Sequence, residues 1–232
     1  MRSLGVVAAT DLEAEVLLRR LGVSHVRTLR GKAFHLCGET LRSAVVVCVS
    51  GVGKVNAAHG TALLIEHFEP ERVVSLGVAG AYPSAGLGLS DLVVVEREVY
   101  GDEGLLTSRG FVPLAQLGWQ VVPGGECRTD EGFALRVPDA LKGWRFRGTS
   151  VTVSSCTGTL ERARYFEETY AALCENMEGA AVAHVGVACG VSVTELRGIS
   201  NVIEDRAIAP LSRKDVREAA ERVQEFFLDA FL

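Results

Sequence analysis

The sequence lacks any long apolar run. No stretch approaches the roughly 20 apolar residues that a helix needs to cross a bilayer, so we expect no membrane partner. The N-terminal segment MRSLGVVAATDLEAE has only a short apolar run, without the basic region and long hydrophobic segment of a signal peptide. We interpret it as a core strand that leads into a helix, and we expect a cytoplasmic protein.

Closely spaced cysteine pairs and metal-binding histidine motifs are also missing. None of the six cysteines forms a CxxC pair, several lie in apolar segments, and the five histidines include no HExxH spacing. We therefore expect reduced thiols and no metal site. The cysteines are Cys37, Cys48, Cys127, Cys156, Cys174 and Cys189.

An excess of positive charge is absent as well. The 24 Lys and Arg residues are outnumbered by 29 Asp and Glu residues, which gives a formal net charge of -5. This balance argues against nucleic acid as a partner. A length of 232 residues with 48% hydrophobic content is typical of one globular domain, which we expect to span residues 1–232.

The glycine-rich segment SGVGKVNAAHG (50–60) does not match the common nucleotide-binding motifs. A Walker loop needs Gly at position 48 and Ser or Thr after Lys54, where the chain has Cys48 and Val55. A dinucleotide fingerprint needs a third Gly where Asn56 stands. We interpret the glycines as a tight turn that brings the backbone close to another group.

Apolar β-rich runs alternate with helical patterns along the chain. Near-continuous Val, Ile and Leu strands indicate a sheet covered on both faces, which predicts a three-layer α/β/α sandwich with a mixed central sheet. Residues 101–147 are irregular and are predicted to carry loops over a site. The predicted strands are 3–10, 33–37, 41–50, 72–78, 91–100, 148–155 and 191–200, and the predicted helices are 11–22, 54–68, 159–169, 177–189 and 213–231.

Polar residues stand at the ends of several predicted strands and at one helix start. Glu13 follows the first strand, ENMEG (175–179) opens an apolar helix, and RGISN (197–201) closes a late strand. Ligands bind at the carboxyl ends of strands in open α/β sheets, so we expect one shared cleft. Glu178 lies where burial is expected, and a buried carboxylate requires a partner.

Four segments together resemble the purine nucleoside phosphorylase and nucleosidase superfamily, in particular its hydrolases of methylthioadenosine and S-adenosylhomocysteine. They are GVVAATDLE, SGVGKVNAAHGTALLIEHFEPERVVSLGVAG, ENMEGAAVAHV and RGISNVIEDR, and they cover most of the chain. The resemblance implies cleavage of a purine–ribose N-glycosidic bond, a small-molecule purine nucleoside as substrate, a homo-oligomer of two or more copies, and no cofactor.

The resemblance also implies a role for each matching residue. Glu13 would activate water, Asn201 would bind the leaving purine, and Glu178 would accept hydrogen bonds from the ribose 2′ and 3′ hydroxyls. The substrate-binding residues would be Gly77, Val78, Ala79, Gly80, Met177, Glu178 and Ser200. Other interpretations remain open: Thr10 and Glu13 match a capping box, Glu178 suits a helix N-terminus, and a strand-end Asn often bonds its own backbone.

Asn201 bears on the choice of purine. The adenine-cleaving nucleosidases carry Asp in the matching place, whereas a carboxamide can accept from N7–H and donate to an oxygen at C6. This pattern indicates hypoxanthine, and the chain is similar to the futalosine hydrolases of a menaquinone route. Their substrate carries a benzoate on its 5′ side, and candidates to contact it are Tyr82, Tyr100 and Arg206.

Three alternatives to that interpretation stay open. The first is a nucleosidase for methylthioadenosine and S-adenosylhomocysteine. The second is a phosphorylase, which would need Arg residues around phosphate, with Arg27, Arg30 and Arg42 as candidates. The third is a non-catalytic nucleoside-binding protein, although such a protein needs no residue to activate water.

Overall fold

The computed structural model describes residues 2–38, 43–119, 121–122, 132–206 and 211–232. A ten-stranded mixed sheet forms its centre, and the hairpin of β7 and β8 stands apart from it. The strands are β1 (Arg2–Ala8), β2 (Val23–Leu29), β3 (Lys32–Cys37), β4 (Ser43–Val49), β5 (Arg72–Ala81), β6 (Leu92–Tyr100), β7 (Gly104–Thr107), β8 (Gly110–Pro113), β9 (Phe133–Ala134), β10 (Arg147–Thr152), β11 (Ala172–Asn176) and β12 (Ser192–Val202). The helices are α1 (Glu15–Leu21), α2 (Lys54–Phe68), α3 (Leu160–Tyr170), α4 (Gly179–Ala188) and α5 (Arg213–Phe231).

Strand β1 shows why the molecule has three layers. Its side chains alternate between the two faces of the sheet, as the period of a strand requires. Leu4, Val6 and Ala8 belong to a core formed with helices α1 and α5. Val7 belongs to a second core, on the opposite face, formed with α2 and α4. The predicted three-layer α/β/α sandwich with a mixed sheet is confirmed.

The sheet curls back on itself at one end. Its strand order is β11-β10-β6-β12-β5-β1-β4-β3-β2, and β11 also pairs antiparallel with β5. This extra pairing places Glu175 opposite Gly80, while β12 places Asn201 opposite Gly80 on the other side. Residues far apart in the chain therefore meet at the carboxyl end of β5.

Several predicted elements differ from the structure at their ends. Helix α1 begins at Glu15 with Ala14 at its N-cap, so Thr10 is not the helix cap, although Gly22 ends the helix as predicted. Strand β5 extends to Ala81, three residues beyond its predicted end at Val78. Helix α4 begins at Gly179, after strand β11, which the sequence analysis missed because its five residues adjoin the apolar helix.

Two further regions were incompletely predicted. Strand β2 was missed because its residues are largely exposed and give no apolar run. The region 101–147 contains the β7–β8 hairpin and the short strand β9, and none of its described residues lines the cavity of the candidate site. The predicted loops over a site are therefore not seen in the described part of this region.

The turn before α2 explains two glycines. Gly51 has a φ of 90° and Gly53 a φ of 93°, a region that residues with a side chain rarely adopt. The turn directs the Gly53 N–H toward Glu178 on a distant segment. The predicted close backbone approach is thus made to a carboxylate of the same chain.

Within the described ranges, no helix is long and apolar enough to cross a membrane. The described cysteines are free: Cys37, Cys48 and Cys174 are buried, and Cys156 and Cys189 are exposed. Cys127 lies outside the described residues.

Candidate active site

A cavity of about 340 Å³ lies at the carboxyl ends of β1, β5, β11 and β12. This volume is in the usual range for a small-molecule pocket. The predicted site residues come together there: those that line the cavity are Glu13, Val78, Ala79, Gly80, Met177, Glu178, Ser200 and Asn201. Gly77, which the resemblance placed among the substrate-binding residues, does not line it.

Glu13 is buried and bonded through both carboxylate oxygens. Oε2 accepts from the Thr10 amide at 3.0 Å and from the Thr10 hydroxyl at 2.8 Å. Oε1 accepts from the Val78 N–H at 2.9 Å. The Thr10–Glu13 pairing of a capping box is therefore present, but it closes the turn before α1 instead of capping the helix. The same bonds fix the carboxylate at the cavity wall.

Gly77 provides the space that two charged groups occupy. A Cβ atom built on Gly77 would lie 2.6 Å from Glu13 Oε1 and 2.7 Å from Arg197 Nη1, too close for either contact. The missing side chain thus allows the Glu13 carboxylate and the Arg197 guanidinium to approach the same point on β5. Gly77 therefore affects the positions of Glu13 and Arg197 without lining the cavity itself.

Glu178 is 8% exposed and stands immediately before α4. Its Oε1 accepts from the Gly53 N–H at 2.8 Å. Burial raises the pKa of Glu178 above its ordinary value, while Arg197 and the Gly53 N–H act in the opposite direction. The partners that the sequence analysis required for a buried Glu178 are therefore a backbone N–H donor and a nearby cation. The carboxylate oxygens still have lone pairs for the hydroxyl groups of a ligand.

Asn201 lies at an irregularity in β12. The pairing register with β5 shifts between Ile199 and Asn201, and such bulges often redirect side chains beside active sites. Ser200 Oγ lies 3.0 Å from Asn201 Oδ1, to which it donates, and 3.2 Å from the Ala79 carbonyl oxygen. With Ser200 as donor to Oδ1, Asn201 keeps a second lone pair on Oδ1 and the N–H groups of Nδ2 for a ligand.

The sequence analysis missed Arg197 and Asn176. Arg197 is 2% exposed, and it donates from Nε to Glu195 Oε1 at 2.9 Å and from Nη2 to Ser75 Oγ at 2.8 Å. A signal was present, because Glu195 and Arg197 are the two charged residues of β12 and their spacing of two places them on one face of the strand. Asn176 accepts through Oδ1 from the N–H groups of Glu178 and Gly179, at 2.8 Å and 2.6 Å, and so orders the start of α4.

A third buried carboxylate of the cavity, Glu175, supports the wall that includes Val153, Cys156 and Thr157. It accepts from the amide and hydroxyl of Thr157 and from the Tyr82 hydroxyl, the last at 3.1 Å. Burial raises the pKa of Glu175, and the bonds from Thr157 oppose the rise. On the same wall, Cys156 Sγ lies 3.7 Å from Met177 Sδ.

Among the described residues that line the cavity, Arg206 is the one Lys or Arg side chain. Tyr82 and Tyr100, the other candidates for a 5′ substituent, do not line it. Tyr82 is bonded to Glu175, and the Tyr100 hydroxyl lies 3.2 Å from His184 Nδ1. A search of the described side chains finds no group of His, Cys, Asp and Glu suited to a metal ion.

Two known proteins are similar in sequence to most of this chain. A futalosine hydrolase of Thermus thermophilus is 36% identical over 179 residues, which cover 75% of this chain and 76% of that protein. A 5′-methylthioadenosine/S-adenosylhomocysteine nucleosidase of Listeria monocytogenes is 28% identical over 212 residues, which cover 88% of each chain.

A solved structure shares the fold. The S-adenosylhomocysteine nucleosidase of Streptococcus pyogenes, in complex with 5-methylthiotubericidin, superimposes with a TM-score of 0.80 at 23% identity, covering 100% of this chain and 98% of that chain. The profile of the phosphorylase superfamily matches residues 3–232. The chain belongs to the phosphorylase superfamily.

Proposed function

We propose that this chain is a nucleosidase that hydrolyses futalosine and releases hypoxanthine. The broader activity, hydrolysis of the N-glycosidic bond of a purine nucleoside, is supported by relatives that are named as nucleosidase and hydrolase. The observation that carries the proposal is the convergence of Glu13, Glu178 and Asn201 on one cavity.

The three side chains match the three tasks of the reaction. Glu13 accepts a proton from water, and the water oxygen bonds to the anomeric carbon as the bond to the purine nitrogen breaks. The electron pair of that bond passes to the purine, which takes up a proton at N7 from solvent and leaves as the neutral base. Glu178 accepts hydrogen bonds from the ribose hydroxyls and so holds the sugar. Positive charge develops on the sugar in such a reaction, and two carboxylates at the same cavity stabilise it.

Asn201 favours a 6-oxopurine. With Ser200 donating to Oδ1, the carboxamide still has a lone pair on Oδ1 for a purine N7–H, and Nδ2 can donate to an oxygen at C6. Adenine presents an amino group at C6, which would face another donor. This complementarity supports hypoxanthine as the leaving base.

Arg206 favours an anionic 5′ substituent. Futalosine carries a benzoate there, and a guanidinium binds a carboxylate through charge-assisted hydrogen bonds. The methylthio group of methylthioadenosine is neutral and gains nothing from a cation. Arg206 at the cavity wall therefore supports futalosine over methylthioadenosine.

The cavity is poorly suited to phosphate as the nucleophile. Arg27 and Arg30 do not line it, and the Arg27 guanidinium lies 5.8 Å from the centre of the Phe68 ring instead. Arg42 lies outside the described residues. Glu13 and Glu178 would repel an anion, so water is the favoured nucleophile.

Parallel incubations with futalosine and methylthioadenosine test the proposal. We expect free hypoxanthine from futalosine, with a kcat/KM at least about tenfold above that for adenine release. Added phosphate should leave the rate and the sugar product unchanged. Faster cleavage of methylthioadenosine would reject the substrate assignment, and a sugar phosphate product would reject hydrolysis.

A further inference from the structure

Two glutamates lie together beneath the candidate site, away from the cavity surface. Glu98 on β6 and Glu195 on β12 are both 0% exposed. A Cβ atom built on Gly179 would lie 2.5 Å from Glu98 Oε1 and 2.5 Å from Glu195 Oε2, so the two carboxyl groups meet under the start of α4. Neither residue lines the cavity, and the proposed chemistry does not use them directly.

Among the described residues, Glu195 is the ion-pair partner of the buried Arg197. Its Oε1 receives the Arg197 Nε–H at 2.9 Å, and this charge-assisted bond sets the plane of the guanidinium. On another edge of the guanidinium, Arg197 Nη2 donates a hydrogen bond to Ser75 Oγ at 2.8 Å. With two edges held in this way, Nη1 is directed to the point at Gly77 where Glu13 Oε1 also lies.

Glu98 carries a proton, which allows the carboxyl groups of Glu98 and Glu195 to lie side by side in the core. Burial, and then the charge of Glu195, raise the pKa of Glu98 well above its ordinary value. Glu195 Oε2 is buried and has no hydrogen-bond donor in the structure, and a protonated Glu98 beside it provides one. Thr152 and Asn176 donate to the two oxygens of Glu98, at 2.7 Å and 2.5 Å. The charge of the pair therefore resides on Glu195, next to Arg197.

We propose that Glu195 is a positioning residue for the reaction: it acts through Arg197, whose Nη1 it directs toward the point at Gly77 where the Glu13 carboxylate lies, while Glu98 serves as its neutral, proton-bearing partner. The proposal rests on the proposed function for its catalytic meaning. Asn176 connects this buried group to Glu178, because its amide nitrogen lies 3.3 Å from Glu195 Oε1 and its oxygen accepts from the Glu178 N–H. The two carboxylates assigned to the reaction, Glu13 and Glu178, thus adjoin one buried network.

Two isosteric variants, Glu195→Gln and Glu98→Gln, test the proposal because they make the same change at equally buried positions. Glu98→Gln replaces a neutral acid by a neutral amide that can still donate to Glu195. We expect its kcat to stay within about threefold of wild type. Glu195→Gln removes the charge that pairs with Arg197. We expect its kcat to fall by about tenfold or more, with KM within about threefold, because the charge-assisted bond is weakened.

Thermal midpoints of both variants separate positioning from folding. Equal loss of kcat in both variants, or losses that follow the midpoints, would overturn the proposal. If the wild type cleaves no purine nucleoside, the proposed function fails, and crystal structures of the variants decide the positioning claim. Displacement of Arg197 Nη1 from Gly77 in Glu195→Gln alone supports it, and an unmoved guanidinium in both variants overturns it.

Discussion

Replacing Glu178 by Ala removes the group that we assign to the ribose. In the structure this carboxylate is 8% exposed and accepts the Gly53 N–H at 2.8 Å. The variant would leave that N–H without its acceptor and would remove a negative charge from the vicinity of Arg197. The two lost ribose hydrogen bonds to a charged group are worth about 1.5 to 3 kcal/mol each.

These values give a loss of about 3 to 6 kcal/mol of binding to the transition state, or roughly 10²- to 10⁴-fold in kcat/KM. Glu178→Gln keeps an acceptor for Gly53 and for one hydroxyl, so its loss should be about half as large in free energy. The assay is base release from futalosine, with circular dichroism to show that each variant is folded.

Glu167→Ala is the matched control. Glu167 also accepts a backbone N–H, from Ser84 at 2.7 Å, but it lies on α3 and does not line the cavity. We expect its kcat/KM to remain within about threefold of wild type. A folded Glu178→Ala variant with kcat/KM equally close to wild type would refute the ribose assignment.

Three further predictions concern neighbouring groups. Glu13→Gln should abolish base release and lower the free energy of unfolding by about 1 to 3 kcal/mol, because the single oxygen of Gln cannot accept from both Thr10 and Val78. Thr10→Val should lower the free energy of unfolding in urea by a similar amount while retaining most turnover. Asn201→Asp should shift the ratio of kcat/KM toward 6-aminopurine nucleosides by about tenfold or more, and an unchanged ratio would show that residue 201 does not select the base. Because the pKa of Glu98 is raised in the folded state, the folded chain binds an extra proton above the ordinary value of 4.5, so stability falls as pH rises toward the folded pKa. Glu98→Gln should reduce this fall, which urea unfolding at about pH 6 and about pH 8 would detect; parallel pH profiles for variant and wild type would contradict the assignment.

The strands and helices with long apolar runs could be predicted from sequence, because extensive burial gives each of them a clear pattern of hydrophobic residues. Strand β5 and helix α2 are examples. Strand β11 could not be predicted, because a five-residue strand followed directly by an apolar helix shows no hydrophobic periodicity of its own. Strand β2 is exposed, and its pairing with β3 is decided by a tertiary neighbour rather than by its own residues.

Residues that line the cavity were easier to predict from sequence than the residues that contact them from behind. Glu13, Glu178 and Asn201 could be selected because each is a polar residue at a strand end or helix start. The hydrogen-bond donor of Glu178 could not be selected from sequence, because Gly53 is 125 positions away and the two residues meet only after the sheet has formed. Arg197 was quoted within RGISN, yet its burial between β5 and β12 depends on Gly77 having no side chain.

The most direct test of the central claim is a crystal structure with an unreactive hypoxanthine nucleoside analogue. The account predicts the ribose 2′ and 3′ hydroxyls at about 3 Å from the Glu178 carboxylate, with the N7 edge of the base at Asn201. A ribose beyond hydrogen-bond reach of Glu178, or a base bound away from Asn201, would contradict it.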